Sequence, residues 1–122
     1  MEQNLYIPWD LVMYEGNMEV VVEVDRDNTL SVSTDKHPFA RIEKIKPIPL
    51  TPEILEKNGW KKERIYYTNK FIPRIKLYTC EEGYKDKWSV SINGDIIGGY
   101  IYHVHQLQHI LFGLGFNSIM EV

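Results

Sequence analysis

An α+β fold is what this sequence predicts, and three observations predict it. Short alternating apolar runs separated by turn residues fill most of the chain and read as antiparallel strands. One stretch, Tyr102 to Phe116, has helical periodicity: Val104, Leu107, Leu111 and Leu114 recur on one stripe with Ile110 beside them. That stripe needs a cover, and the strands supply one, so the sequence implies an antiparallel sheet packed on a C-terminal helix. Gly115 is placed to end this helix in a left-handed conformation, with Phe116 folding back on the last turn.

In chain order, Leu11–Tyr14 is a short apolar run, Glu15-Gly16-Asn17 a turn, and Met18–Val24 sets Val20, Val22 and Val24 against Glu19 and Glu23. The pair forms a half-buried hairpin with the glutamates on its wet face. The polar stretch Asp25–Thr29 is followed by a strand over Leu30–Ser33 and then by Phe39, Ile42 and Ile45. The pattern DLVMYEGNMEVVVEVDRDNTLSV looks like the opening of a small SH3-like β-barrel, which makes residues 5–50 one lobe of a single domain. Lys46-Pro47-Ile48-Pro49-Leu50 is a stiff connector into an α+β lobe over 51–122, because two prolines restrict their own and the preceding residues. Thr51 as N-cap, Pro52 in the first turn and Asn58-Gly59 at the end define a two-turn helix, with Trp60 folding back as its capping contact.

The two blocks FARIEKIKPIPLTPEILEKNGW and YIYHVHQLQHILFGL together resemble an uncharacterised family of small proteins common in phages and mobile elements of gut Bacteroidales. The family's recurring phrases look like "IxPIPLTxExLxKxGF" and "YVHQLQNLYFAL". The resemblance covers about a third of the chain and implies a phage or mobile-element setting in a bacterial host, where sequestering a host nucleotide signal for host-defence evasion is a use, and no catalytic residue. Phe116–Val122 stands where the family has an acidic tail.

Composition agrees with an ordinary globular domain: 122 residues, 43% apolar and 25% charged, with no run near the roughly 18 apolar residues of a membrane span. The N-terminus, MEQNLYIPWD, lacks the features of a signal peptide, so the protein is expected to stay in the cytoplasm where it is made, the bacterial host cytoplasm. Cys80, the one cysteine, reads as a strand residue. Oxygens alternate along Asp25–Thr29 as in a calcium loop, yet Leu30 stands where the bend needs glycine and Lys36 where the bidentate glutamate belongs. Glu19 and Glu23, more than about 12 Å apart in an extended strand, do not make a glycosidase pair. His105 and His109 are one turn apart, but no third ligand joins them, so with Gln106 and Gln108 they read as the polar flank of the helix or as hydrogen-bonded to the sheet, and no metal or cofactor is expected. Ser89 and Ser91 lack an elbow, and Gly98-Gly99 marks a bulge or a close approach of backbone to another group, not a phosphate loop. No catalytic pair emerges, and the chain reads as a non-enzyme.

Chemical character concentrates in the middle. Between Lys57 and Tyr78 seven basic residues face Glu63 alone, a local balance of +6 in a chain of net charge −3. Trp60, Tyr66, Tyr67, Phe71 and Tyr78 are interleaved with them. Cations that neutralise phosphate beside rings that stack on bases are the ingredients of a nucleotide or single-strand surface. Lys61, Lys62, Arg64, Tyr66, Lys70, Arg74, Lys76 and Tyr78 are its candidate residues, on a hairpin turning at Thr68-Asn69-Lys70. The plainer alternative is a sheet's solvent face whose lysines block edge-to-edge association. After this, Trp88, Val90 and Ile92 alternate along a strand, Asn93-Gly94 turns, and Asp95–Tyr102 returns. Two functions follow: binding of an anionic ligand, or a protein-interaction module docking a host protein or a second copy.

Overall fold

A computed structural model describes residues 6–24, 31–79, 87–97 and 99–122. The Asp25–Thr29 turn, the start of a strand at Leu30, Cys80, the Glu81–Gly83 stretch and the first glycine of Gly98-Gly99 lie outside the described residues. The chain is α+β, with two five-stranded antiparallel sheets among the described residues, and divides into two units: residues 1–48 with 104–120, and residues 49–103 with 121–122. No helix among the described residues is long and apolar enough to cross a membrane.

In the first unit, β1 (Leu11–Tyr14), β2 (Asn17–Val24), β3 (Ser31–Thr34), β4 (Ala40–Arg41) and β5 (Ile45–Pro47) lie in the order β4-β3-β2-β1-β5. Glu15 and Gly16 both take positive φ, 50° and 83°, which is the two-residue turn that matches strand twist. A 3-10 turn, Ile42–Lys44, leads into β5, which returns to pair with β1. The expected alternation in β2 is out of phase. Glu19 and Val21 are buried while Val22 is exposed, because Val21 pairs with Thr34 and Glu23 with Ser33, leaving Val22 as the extra residue of a bulge. Glu19 is therefore inside the sheet's core face with Val12, Tyr14 and Val21, not on a wet face.

The helix α2 (Val104–Gly113) belongs to this first unit, whereas the sequence laid it across the second lobe. Gln108, read as polar flank or as bonded to the sheet, takes the second role and is the reason. Its side chain is buried, with Oε1 accepting from Leu11 N–H at 2.9 Å and Nε2 donating to the carbonyls of Trp9 and Ser118 at 2.8 Å each. These bonds hold Trp9 at φ 80°, a left-handed conformation that costs a bulky residue about 1–3 kcal/mol. Val104, Leu107 and Leu111 are buried as the periodicity implies; Leu114 is only half-buried. The C-terminus of α2 ends as the sequence indicates: Gly115 has φ 82°, its N–H reaches Phe112 O at 3.0 Å, and Phe116 N–H reaches Leu111 O at 2.8 Å.

In the second unit, α1 (Pro52–Lys57) starts at Thr51, whose hydroxyl accepts from Ile54 N–H at 3.2 Å. Gly59, at φ 88°, turns the chain into a sheet made of β6 (Trp60–Glu63), β7 (Tyr66–Asn69), β8 (Ile75–Thr79), β9 (Trp88–Ile92) and β10 (Asp95–Ile96), in the order β10-β9-β8-β7-β6. Trp60 thus opens a strand rather than closing the helix. Its ring lies on the buried face with Tyr67, Asn69, Ile75, Leu77, Trp88 and Val90. The indole N–H of Trp88 donates to Leu50 O at 2.9 Å, fixing the connector to the sheet. The return strand is shorter than 95–102: after Ile96 it is continued among the described residues by a bond from Ile97 N–H to Val90 O at 2.9 Å and an isolated bridge, Trp88 to Ile101.

Leu107→Ala should lose about 2–5 kcal/mol in urea unfolding, the cost of truncating a buried leucine. Gln108→Leu should lose at least about 2 kcal/mol although it adds apolar volume, because it strands a buried N–H and two carbonyls. A neutral Gln108→Leu would mean those groups find other partners.

Candidate nucleotide-binding face

The candidate residues come from β6, β7, β8 and the turns that join them, and the pairing register decides which of them meet. Lys61 lies opposite Thr68, and Thr68 opposite Lys76; one step along, Glu63 lies opposite Tyr66, and Tyr66 opposite Tyr78. Residues directly opposite share a face, so Lys61, Glu63, Tyr66, Thr68, Lys76 and Tyr78 stand together on the face turned away from the core. They form two cross-strand rows, one of cations and a hydroxyl, one of two rings and a carboxylate. Same-face residues repeat about every 6.8 Å along a strand and strands lie about 4.8 Å apart, which sets the scale of the grid. The face is open over β6–β8 and closes on β9, where Ser91, opposite Lys76, is buried.

The rings of Tyr66 and Tyr78 are 5.4 Å apart and tilted by 54°, and the Lys76 ammonium sits 4.8 Å from the centre of the Tyr66 ring. Such a cation is held by the ring's quadrupole while keeping its charge available at the surface. Beside this pair, Gly59, Lys61, Glu63, Thr68, Asn69, Lys70 and Pro73 line a cleft of about 360 Å³. Glu63 Oε2 accepts from the Thr68 hydroxyl at 3.1 Å. The cleft therefore holds two lysines and one positioned carboxylate.

Not every candidate joins. Lys62 pairs with buried Tyr67 and so points to the opposite face from Lys61. Arg64 occupies the β6–β7 turn at φ 57°, where the sequence had placed strand. Thr68 and Asn69 are in β7, and the next turn spans residues 70–74. There Asn69 Oδ1 accepts from Phe71 N–H at 2.9 Å, Phe71 is exposed and Ile72 buried, the reverse of a strand continuing upstream of Ile75. Lys70 lies in that turn with its ammonium 5.1 Å from the Phe71 ring, and the carbonyl of Arg74 accepts from Asn93 N–H at 2.8 Å. The plain reading of these charges as one face of a sheet holds for Lys61 and Lys76; Lys70 and Arg74 belong to the turn at its rim.

Two imidazole–carboxylate pairs in the first unit escaped the sequence. Asp10, 1% exposed, accepts from Ile7 N–H at 2.8 Å and lies 2.7 Å from His109 Nε2. His105 is buried against the rings of Tyr6 and His109. Burial raises the Asp10 carboxyl above its ordinary value, with His109 and the Ile7 N–H partly offsetting it, and burial together with the Asp10 charge raises the Tyr6 phenol. Glu19, fully buried, accepts from the Thr34 hydroxyl, and His37 Nδ1 lies 2.9 Å from its Oε1 and 2.8 Å from its Oε2. A carboxylate at zero exposure is tolerated only with such partners. No group of three or more His, Cys, Asp or Glu side chains that could hold a metal occurs among the described residues.

Comparison of the chain with protein-family models, with curated proteins and with solved structures gives no match.

The sign of the Asp10 shift makes a pH prediction. A carboxyl raised in the folded state binds its proton more tightly there, so its contribution to stability is complete below the unfolded value of 3.8 and is lost as pH rises through the folded value. Asp10→Asn has no such loss. The stability of the parent protein relative to Asp10→Asn should therefore fall in urea melts as pH rises above 3.8. A difference that instead grows with pH would show that pairing with His109 outweighs burial.

Proposed function

We propose that this chain is a non-catalytic binder of an anionic nucleobase ligand, a nucleotide or a single-stranded nucleic acid, through the outer face of the second sheet. One observation carries the reading: the Tyr66–Tyr78 ring pair shares its face with Lys61 and Lys76 and stands beside a cleft lined by Lys61 and Lys70, so that a base on the rings would carry its phosphate toward these lysines. Lys62 drops out of the surface and Glu63 and Thr68 enter it. The resemblance to proteins of phages and mobile elements adds a setting in which sequestering a host nucleotide signal is a use for such a face. The sheet order of the first unit, with a 3-10 turn before a strand that returns to β1, supports an SH3-like barrel for that lobe.

A second reading rests on the first unit. Trp9, Val22 and Ile119, each between 46% and 62% exposed, surround an apolar cleft of about 250 Å³ with Leu11, Val20 and Met120. Exposed apolar side chains gathered around one cleft favour a protein-interaction module.

Lys61→Glu and Lys76→Glu should each weaken binding of a nucleotide or oligonucleotide at least several-fold; Lys61→Glu should leave the melting temperature within about a degree or two, since exposed charges contribute little to stability, while Lys76→Glu also gives up the contact with the Tyr66 ring. Tyr66→Ala or Tyr78→Ala should cost about 1–3 kcal/mol of binding if a base stacks there. Affinity should fall with salt, steeply for a strand and shallowly for a mononucleotide. Fluorescence titration of a nucleotide set and of single-stranded DNA and RNA at low salt tests this. Failure of all of them to bind would leave the interaction reading in its place.

A further inference from the structure

Glu63 is out of place on a surface whose business is phosphate. It lines the same cleft as Lys61 and Lys70, it lies directly opposite Tyr66, and its Oε2 is bonded to Thr68 Oγ1 at 3.1 Å. A carboxylate at an anion site repels the ligand it should attract, and an acid kept there needs a donor of its own. The hydroxyl of Thr68 supplies one bond and fixes the direction of the group. It leaves further acceptor capacity, since an ionised carboxylate has about four lone-pair sites.

A nucleotide offers a carboxylate two kinds of donor, the amino groups of some bases and the hydroxyls of its sugar. With a base on the tyrosine rings and a phosphate in the lysine-lined cleft, the sugar is what spans the interval between them. Glu63 borders both, beside Tyr66 across the strands and two residues from Lys61 along its own strand. Carboxylates recognise ribose this way in dinucleotide sites, and the 2′-hydroxyl is the group by which a protein tells RNA from DNA.

We infer that the ligand is a ribonucleotide unit rather than a deoxyribonucleotide, and that Glu63, oriented by Thr68, accepts a hydrogen bond from its ribose. The inference rests on the reading of this face as a nucleotide site. Glu63 is the specificity-determining group; Thr68 is a positioning residue.

The test is titration of the full-length protein, at low salt, with adenosine 5′-diphosphate and its 2′-deoxy counterpart, and with oligo(rA) and oligo(dA). The ribo form should bind about 10-fold more tightly in at least one pair, the effect of roughly one charge-assisted hydrogen bond. Preference in the mononucleotide pair identifies a free nucleotide as the ligand; preference in the oligonucleotide pair, with a steep salt dependence, identifies RNA. Glu63→Ala should reduce the ratio to about one. Because it also removes a negative charge from the cleft, it should strengthen binding of the deoxy ligand. Thr68→Val should lower the ratio with less effect on the deoxy ligand. If ribo and deoxy forms bind the parent protein equally, or if Glu63→Ala strengthens both by the same factor, Glu63 acts only through its charge and the inference fails while the nucleotide reading stands. If none of the four probes binds, the nucleotide reading itself fails.

Discussion

The amide of Gln108 is the interaction on which the first unit depends. A helix and an N-terminal strand have no covalent reason to meet across 97 residues of sequence, and apolar contact alone would let one slide over the other. A buried amide does not permit sliding: its three bonds to Leu11, Trp9 and Ser118 are satisfied at one register, and leaving any of those backbone groups unpaired inside costs about 1–3 kcal/mol. The same bonds hold Trp9 in a backbone conformation it would not choose. In the second unit the indole of Trp88 plays the corresponding part on the carbonyl of Leu50, fixing the stiff proline connector to a sheet that is otherwise a simple meander.

Features governed by local chemistry were legible in the sequence. The stripe of Val104, Leu107 and Leu111, the Gly115 cap, the Thr51 start and the Asn93-Gly94 turn all follow from residues within a few positions of one another. What was not legible depended on partners far away. Glu19 looks solvated until the bulge at Val22 inverts the phase of β2 and Thr34 and His37 arrive to receive it. Gln108 and His109 stand undecided between a polar flank and a bond to the sheet until Leu11 and Asp10 are placed against them. A polar side chain on an amphipathic helix carries no mark that separates a solvated one from a keystone.

The candidate face shows the same division at shorter range. The concentration of positive charge and rings between Lys57 and Tyr78 is plain in the sequence, but the composition does not say which side of the sheet each occupies. That follows from the strand that Trp60 opens. With Trp60 turned inward, Lys61 and Glu63 must turn outward and Lys62 must follow Trp60, so one residue's burial separates two adjacent lysines. The lone acid of the basic stretch, easily dismissed as dilution of its charge, is thereby brought beside a tyrosine.

The distance between Gln108 and Leu11 also has a temporal meaning. The second sheet pairs each strand with its neighbour in sequence, so its contacts close short loops; the first unit stays incomplete until a helix near the far end of the chain can reach β1. During synthesis the strands of the second sheet can pair as they emerge, whereas the N-terminal strands wait, with Leu11 N–H unanswered, until the helix that carries Gln108 has been made.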